Sequence, residues 1–358
     1  MEILFWASAA LVAYVYLGYP LALALWARVH RVRSGATGAT GAQPAVSIVI
    51  AVRDEAHRLP ARIDNLLSLD YSGERQIIVV SDGSTDQPER ALAAAPANVE
   101  LVTLPPCGKA EALNAGVARA AHDIVVFADA RQTFARDALR RLVAPFDDPQ
   151  VCGVTGDLVL DTESSGLDGP ESGVGEGIGL YWRYEKALRR FESTVGSTLG
   201  ATGAIYALRR SLWQPLPSDT LLDDVLAPMR AVLDGYTVVF EDRAKAFDRA
   251  SSDARAESQR KIRTLAGNVQ ILWLEPRLLN PFANPVWVQY MSHKLGRLVV
   301  PYALAALLLS SVWLAREHWW YAVALFAQCG FYLLAAYGAW LAGMTPTPPM
   351  AAGRRSEG

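Results

Sequence analysis

Three long runs without a charged residue dominate the hydropathy pattern of the chain. They cover residues 3–27, 298–315 and 319–343. A helix of about 20 apolar residues is long enough to cross a lipid bilayer. A single run of this kind would also suit a buried core helix, but the length of these runs and their lack of charge favour membrane helices. We therefore predict a transmembrane helix over residues 1–27 and two more over 298–315 and 319–343.

The first run differs from a cleavable signal peptide. It follows Glu2 rather than a basic residue, it is longer than the usual apolar core of a signal, and no clear cleavage site follows it. The prediction is therefore a helix that the protein retains.

Basic residues at the ends of the three runs predict an orientation. Those after the first run, before the second and after the third are Arg28, His30, Arg31, Arg33, Lys294, Arg297, Arg354 and Arg355. Basic flanks stay on the cytoplasmic side of a membrane. We therefore expect residues 28–297 and the C-terminus in the cytoplasm, Met1 outside, and a multi-pass protein of the plasma (inner) membrane.

Between the first and second runs, short apolar stretches alternate with amphipathic ones. Residues 28–45 form a basic flank and a Gly/Ala/Thr linker, which we expect to be flexible. The following stretches have strand character at 45–52, 75–84, 98–104 and 123–129, and helical spacing at 58–71 and 108–121. This alternation predicts an α/β domain with a mostly parallel sheet, over residues 46–255. Such sheets bind ligands at the carboxyl ends of their strands.

The pattern is less regular beyond residue 150. It suggests a strand at 153–161, a mobile glycine-rich loop at 166–179 and an amphipathic helix at 180–193. Residues 255–279 alternate basic and apolar turns, as in an ordinary surface helix or a helix that lies on a membrane, and the adjacent apolar run favours the membrane. We therefore predict a membrane-surface amphipathic region over residues 256–297. The Pro-rich residues 344–358 are predicted to be disordered.

Composition excludes some classes of function. The net charge is −2 and no basic stripe with interleaved aromatic residues occurs, so nucleic acid is not an expected partner. Cys107, Cys152 and Cys329 have neither metal-site spacing nor a pairing pattern, which fits a reducing compartment.

Two common nucleotide-binding motifs are missing. The first strand leads into "RDEAHRL" and not into the G-x-G-x-x-G of a dinucleotide fold. The segment "PPCGKAE" resembles a phosphate-binding P-loop, but Thr103 replaces the first glycine and Ala110 replaces the Ser/Thr. Neither type of site is therefore expected.

Acids at strand and helix ends are the remaining candidates. Asp82 and Asp129 end predicted strands, and Asp223 and Asp224 lie in "LLDDVLAPMRA". Each could simply cap a turn or a helix, since acids are common at such positions. Their combination, in this order and on these elements, is more specific.

These motifs resemble those of membrane-anchored family 2 glycosyltransferases, the group of cellulose-, hyaluronan- and poly-N-acetylglucosamine-synthase-like enzymes. The matching segments, within about residues 46–270, are "VSIVIAVRDEA", "IIVVSDGSTD", "GKAEALNAG", "FADAR", "GATGAIYALRR", "LLDDV" and "QRKIRTLAGN". The resemblance implies a Rossmann-like GT-A fold. It also implies transfer of a sugar from a nucleotide donor, usually UDP-linked, with inversion at the anomeric carbon.

The resemblance assigns roles to particular residues. Glu55 corresponds to an acid near the nucleoside, although it could equally cap the next helix. Asp82 corresponds to the acid that contacts uracil or ribose, and Lys109 to the lysine at a helix start beside the diphosphate. Asp129 corresponds to the first acid of the D-x-D motif and is a candidate metal ligand.

The pair Asp223 and Asp224 corresponds to the acids that include the general base. A sugar hydroxyl is a poor nucleophile, so a carboxylate within hydrogen-bonding reach assists attack by removing its proton. Neighbouring helix residues point about 100° apart, so the two acids cannot share one task. We expect Asp224 to face the acceptor and Asp223 to support the local structure.

One departure from the family pattern concerns the acceptor side. Processive synthases carry the motif Q-x-x-R-W, whereas the corresponding sequence here is "QRKIRT". Arg263 fits the arginine, Gln259 stands one residue early, and Thr264 replaces the tryptophan that stacks on the polymer end. With only three predicted crossings as well, single-sugar addition is favoured over processive synthesis.

The other departure concerns the metal. Arg131 stands where the second acid of D-x-D, usually the direct metal ligand, would be. Its guanidinium could replace part of the metal's charge on the diphosphate, or it could point away and pair with a surface acid. We therefore expect a Mg²⁺ or Mn²⁺ cofactor with weakened or altered dependence.

The sequence thus predicts an inverting glycosyltransferase that acts on a lipid-linked or membrane-proximal saccharide, in polysaccharide or glycolipid synthesis. Its expected partners are a nucleotide-sugar donor, a lipid or saccharide acceptor, the bilayer and other membrane proteins of polysaccharide assembly. A processive synthase and a catalytically degenerate nucleotide-binding scaffold are the alternatives. A nucleotidyltransferase would leave the "DDV" acids and the membrane-side helix unexplained.

Overall fold

The protein is described here by a computed structural model, which covers residues 1–29, 43–161, 173–249 and 254–344. Most of the predicted linker, residues 166–172 of the predicted glycine-rich loop, and nearly all of the predicted disordered tail lie outside the described residues.

The described strands form one sheet in the order β3-β2-β1-β4-β7-β6-β8-β5. They are β1 (Val46–Val52), β2 (Arg75–Asp82), β3 (Val99–Leu104), β4 (Ile124–Ala128), β5 (Thr133–Phe134), β6 (Val151–Asp161), β7 (Ile205–Arg209) and β8 (Thr237–Arg249). Strands β1 to β4 pair in parallel, as do β6 and β8, while β7 is antiparallel to both of its neighbours and β5 is antiparallel to β8. The predicted mostly parallel sheet is confirmed.

Helices cover both faces of this sheet and extend beyond it. They are α1 (Glu2–Ala13), α2 (Tyr19–Val29), α3 (Leu59–Leu67), α4 (Pro88–Ala91), α5 (Lys109–Arg119), α6 (Ala138–Val143), α7 (Gly173–Val195), α8 (Asp223–Leu233), α9 (Ala254–Leu274), α10 (Trp287–Gln289), α11 (Gly296–Leu314) and α12 (Trp319–Met344).

The central strands are buried on both faces. Ile48 and Ile77 face α3 and α6, whereas Val49 and Ile78 face α5 and α8. A strand with apolar side chains on both faces has a continuous apolar run, and this is why β1, β2 and β4 were readable from the sequence. By contrast, β8 has six charged residues among its 13 and no strand was predicted there.

The glycine-rich segment is more regular than predicted. Helix α7 begins at Gly173, so residues 173–179 are helical and not a mobile loop. Leu188 and Val195 of this helix pack against Leu23 and Ala27 of α2. Such packing along an amphipathic helix outweighs the low helix propensity of glycine.

Within the described ranges, three helices are long and apolar enough to cross a membrane. A π-helical turn joins α1 to α2 in one helix, Glu2–Val29, and another joins α10 to α11 in Trp287–Leu314; the third is α12. The second of these begins at Trp287 and not at the predicted residue 298, so Lys294 and Arg297 lie within it and not before it. Helix α7 supports the helix there, because its Glu185 lies 2.6 Å from Nη1 of Arg297 and balances that charge.

Candidate active site

The carboxyl ends of three parallel strands lie at one edge of the sheet. β1 ends at Val52, β2 at Asp82 and β4 at Ala128. Because β7 runs antiparallel to β4, its first residue, Ile205, lies opposite Ala128 at the same edge. Residues that follow β1, β2 and β4, or precede β7, therefore gather where sheets of this kind bind ligands.

Asp82 organises the loop that leads into α5. Its Oδ1 accepts hydrogen bonds from the backbone N–H groups of Cys107 (2.6 Å) and Gly108 (2.9 Å), and its Oδ2 lies 3.7 Å from Nη1 of Arg53. Burial would raise the pKa of Asp82, but the two backbone hydrogen bonds outweigh burial and hold that pKa below its usual value. An ionised Asp82 thus fixes the backbone next to Lys109.

Lys109, the first residue of α5, lies between two carboxylates. Its Nζ is 3.4 Å from Oδ1 of Asp129 and 3.6 Å from Oδ2 of Asp223. Burial would lower the pKa of Lys109, but Asp223, Asp129 and Asp224 together hold it above the usual value. The lysine therefore keeps its charge and joins acids from β4 and α8 in one cluster.

Asp224 is held in place by the segment before β7. Its Oδ2 accepts a hydrogen bond of 3.0 Å from the backbone N–H of Gly203. A Cβ at position 203 would lie 3.0 Å from the same oxygen, so any larger residue there would require the carboxylate or the loop to shift. Burial, followed by the charge of Asp223, raises the pKa of Asp224 to about 6, although Lys109 acts in the opposite direction. Such a carboxylate can accept a proton near neutral pH.

A cleft of about 470 Å³ opens beside Lys109, a volume that suits a nucleotide-sized ligand. Its charged lining residues are Arg53, Glu55, Asp82, Lys109, Asp219 and Arg263. The predicted donor-site residues Glu55, Asp82 and Lys109 thus share one cavity.

Glu55 contributes its side chain to this cleft and does not cap the helix that follows. Its Oε1 lies 3.5 Å from Nε of Arg58. The adjacent N–H of Ala56 is bound by Oδ2 of Asp86 instead, at 2.6 Å. Asp86, and not Glu55, therefore caps the N–H group at the start of the helix that follows.

Helix α9 brings Arg263 to the opposite wall of the cleft. Nη2 of Arg263 donates to the Leu221 carbonyl at 3.0 Å, and Gln270 accepts from the Leu221 N–H at 2.9 Å. Gly267 allows this close packing, because a Cβ there would meet the Leu222 side chain at 2.5 Å. Gln259 is exposed, one turn before Arg263, and is not among the cleft-lining residues in the described part of the chain.

Arg131 is directed to β8. Its Nη2 lies 3.0 Å from Oδ2 of Asp248, which also accepts a hydrogen bond of 2.9 Å from Gln132. Within the described residues, Arg131 does not line the cleft. Of the two orientations considered from the sequence, the structure has the one in which Arg131 pairs with an acid of the fold.

The carboxylates of the cluster do not form a complete metal site. No group of three or more His, Cys, Asp or Glu residues within the described ranges could hold a metal ion. Mg²⁺ is commonly bound by one or two carboxylates together with substrate phosphates and water. The donor set therefore fits an ion that Asp129 shares with a bound diphosphate, and it does not fit an ion held by the protein alone.

Two further residues of this edge were not assigned from the sequence. Arg53 lines the cleft beside Asp82. Asp54 has a positive φ of 54° and accepts a hydrogen bond of 2.8 Å from the N–H of Thr85, which ties the loop after β1 to the loop after β2. Their position directly after β1, in "AVRDEA", is the signal that could have found them.

Comparison with known proteins identifies the domain. Residues 47–214 match the family described as Glycosyl transferase family 2. The chain is 23% identical over 209 residues to poly-beta-1,6-N-acetyl-D-glucosamine synthase of Staphylococcus aureus (strain COL), covering 56% of this chain and 48% of that protein. It is 25% identical over 206 residues to the synthase of the same name from Staphylococcus epidermidis, with the same coverage. The chain spans about half the length of the curated relatives it matches.

A solved structure is similar over nearly the whole chain. It is the mannosyltransferase PcManGT from Pyrobaculum calidifontis in complex with GDP-Man and Mn²⁺. The TM-score is 0.70 at 22% identity, and the alignment covers 94% of each chain. This likeness extends the shared fold beyond the sheet domain to the terminal helices. Residues 47–214 thus match the glycosyltransferase family 2 domain, and the fold is of the GT-A type.

Proposed function

We propose that the protein is an inverting glycosyltransferase that moves a sugar from a nucleotide sugar to a lipid-linked or membrane-proximal saccharide acceptor. One observation carries this proposal. Lys109 lies between Asp129 and Asp223 and lines a nucleotide-sized cleft, and its charge acts on the neighbouring Asp224, whose pKa is about 6. A cation for a diphosphate and a base for a hydroxyl are thus neighbours.

In this reaction Asp224 acts as the general base. It takes the proton of the acceptor hydroxyl while that oxygen attacks the anomeric carbon. The bond between this carbon and the diphosphate oxygen breaks, and the nucleoside diphosphate leaves with the bonding electrons. One displacement inverts the configuration, so an α-linked donor gives a β-linked product.

Lys109 and Arg263 face the leaving group. Both line the cleft, and cations fixed before the reaction stabilise the charge that develops on the departing diphosphate. A divalent ion held by Asp129 would supply further charge stabilisation at the same place. Arg131 takes no part in this scheme, because its charge is paired with Asp248.

The donor is a UDP- or GDP-linked hexose or N-acetylhexosamine. The family resemblance favours UDP, and the neighbour of similar fold is named as a complex with GDP-Man and Mn²⁺. Asp82, which the family resemblance assigns to contact with the base or ribose, lines the cleft and supports this proposal.

Transfer of one sugar is favoured over processive synthesis. Thr264 occupies the position of the tryptophan that stacks on a growing polymer, and only three helices of the described chain are able to span a membrane. The staphylococcal relatives are named as synthases of a polymer, so processive synthesis is the second candidate. Product length on a saccharide acceptor distinguishes the two, since single transfer gives one added residue.

We also propose that the domain lies on the cytoplasmic face of the plasma (inner) membrane, as its basic flanks suggest. Helix α9 would rest on the membrane surface. Its side chains Ile262, Val269 and Trp273 are exposed in one stripe, and Trp273 is 83% exposed. Exposed apolar stripes of this kind bind to lipid interfaces.

The test is release of UDP or GDP by the purified full chain with a panel of nucleotide sugars, with and without Mg²⁺ or Mn²⁺. Asp224→Asn should lower kcat by about two to four orders of magnitude, the contribution of a positioned base, and should leave nucleotide binding intact. Equal rates for the two proteins would refute Asp224 as the base. Nucleotide binding without turnover by the wild type, on any donor and acceptor, would favour the scaffold alternative.

A further inference from the structure

A second cavity, of about 320 Å³, lies on the other side of α9 from the donor cleft. Its walls come from α7, from the segment Leu199–Ala201, from α9 and from the first turns of the membrane-type helix Trp287–Leu314. Thr264 and Asn268 of α9 line this cavity, whereas Arg263 of the same helix lines the donor cleft. The two cavities therefore share α9 as a wall.

The acidic side chains of this cavity already have partners. Glu185 binds Nη1 of Arg297 at 2.6 Å. Glu192 contacts Nδ1 of His293 at 2.6 Å and accepts a hydrogen bond of 3.0 Å from the Tyr19 hydroxyl. Each carboxylate thus has a basic partner that lies closer to it than the remaining cations do.

Those cations are Lys294, Arg189 and part of Arg297. Within the described residues, no carboxylate lies within ion-pair distance of the Lys294 ammonium, which lines the cavity. Arg189 donates to a neutral group, the Thr202 hydroxyl, at 2.6 Å, and the buried Nε and Nη2 of Arg297 have no hydrogen-bond partner. Unpaired cations in a partly buried site are costly, and an anion that binds among them removes this cost.

The cavity also adjoins the proposed base. Gly200 and Ala201 line it, and the Ala201 N–H donates to the Asp224 carbonyl at 2.7 Å. The charge of Lys294 acts on the Asp224 carboxyl directly, because it lowers the pKa of that group. A molecule that places an anion at Lys294 can therefore present a neighbouring hydroxyl to Asp224.

We propose that this cavity binds the phosphate of a lipid-linked acceptor, with Lys294 as its main contact. This rests on the proposed function and names its acceptor class as a saccharide joined to a lipid through a phosphate or diphosphate. The phosphate is not changed in the reaction: it holds the acceptor, and the sugar hydroxyl loses its proton to Asp224. A lipid source fits the position, since the wall that carries Lys294 and Arg297 belongs to a membrane-type helix.

Binding of farnesyl diphosphate to the detergent-solubilised full chain, in saturating UDP or GDP, tests this proposal without requiring the natural acceptor. Farnesol and inorganic pyrophosphate are the comparison ligands. We expect farnesyl diphosphate to bind at least about tenfold more tightly than either, because a charge-assisted contact and a lipid contact are both needed. In Lys294→Gln, farnesyl diphosphate should bind no more tightly than farnesol. Lys245→Gln, an exposed lysine of β8, is the matched control and should bind as the wild type does.

Three results would overturn the proposal. Binding of farnesyl diphosphate that occurs without UDP or GDP but is lost when the nucleotide is saturating would show that the probe occupies the donor cleft. If farnesol bound as tightly as farnesyl diphosphate, the phosphate would not contribute to binding. If pyrophosphate bound as tightly as farnesyl diphosphate, the lipid chain would not contribute. Donor turnover, measured separately, distinguishes these results from failure of the proposed function: a protein that transfers sugar but shows no phosphate preference contradicts the inference alone.

Discussion

The Arg131 guanidinium forms an ion pair with Asp248, with 3.0 Å between Nη2 and Oδ2. This contact joins the loop after β4 to the far strand β8. Asp248 has only 9% of its side chain exposed, so Arg131 balances a largely buried charge. The residue that interrupts the D-x-D pattern therefore has a structural partner, and the cations that line the donor cleft are Arg53, Lys109 and Arg263.

Replacement of Arg131 should accordingly affect stability more than ligand binding. For Arg131→Gln we expect a loss of about 1–2 kcal/mol in the free energy of unfolding, since Asp248 keeps only its bond from Gln132. Nucleotide affinity and metal response should stay within about twofold of wild type. Denaturant unfolding and nucleotide titration measure the two quantities.

The matched control is Arg141→Gln, which removes an exposed ion pair with Asp137. Such pairs contribute about 0–1 kcal/mol. Unchanged stability of Arg131→Gln together with a tenfold weaker nucleotide affinity would contradict the structural role.

The pH dependence of turnover should follow Asp224. A base works in its deprotonated form, so kcat at saturating donor should fall as the pH drops below about 6, the pKa of Asp224, and level off above it. Because Lys109 lowers this pKa, Lys109→Gln should move the midpoint to higher pH, in addition to weakening donor binding. Lys261→Gln on α9 is the control and should keep the wild-type midpoint. A wild-type profile that stays flat between pH 5 and 8 would count against Asp224.

Gly203 should be required for the position of the base. In Gly203→Ala the new Cβ would lie 3.0 Å from Oδ2 of Asp224, so the carboxylate or the loop must move. We expect kcat to fall by about tenfold or more, as for other small misplacements of a reacting group, with donor KM little changed.

Gly196→Ala is the matched substitution, because its Cβ would meet only ordinary contacts, the nearest at 3.7 Å. A similar kcat in both variants would show that the Gly203–Asp224 approach has no catalytic role.

Helix α9 should contact lipid through its exposed apolar stripe. Spin labels at Val269→Cys and Trp273→Cys in the reconstituted full chain should be accessible to oxygen and shielded from a water-soluble nickel complex. A label at Lys261→Cys, about 120° from Trp273 around the helix, should show the opposite preference. Equal accessibility at the three positions would mean that α9 does not lie on the membrane.

Many of the strands and helices could be predicted from local patterns in the sequence. Buried parallel strands have continuous apolar runs, so β1, β2 and β4 were predicted with ends correct to within two residues. Strand β5 has two residues and β8 is rich in charge, so neither has such a run. In the same way, the start of helix Trp287–Leu314 was missed because its first turns contain Lys294 and Arg297, and Arg297 is paired with Glu185 of α7, which is distant in sequence.

In the candidate site, local motifs identify the residues, whereas the tertiary structure sets the contacts between them. The local sequence motifs identified five candidate residues, which lie at or just after a strand end or in the first turn of a helix: Asp82, Lys109, Asp129, Asp223 and Asp224. Their direct contacts, such as Lys109 with both Asp129 and Asp223, require the parallel order of the strands.

By itself, then, the sequence determined the three membrane-type helices, the α/β domain and the acids at its ligand-binding edge, because apolar periodicity and strand-end motifs are local properties of the chain. Only the tertiary structure decided that Arg131 turns to Asp248, that α9 separates two cavities, and that Lys294 faces one of them without a carboxylate. The partner of a charged side chain depends on which distant elements pack beside it, and no local pattern encodes that choice.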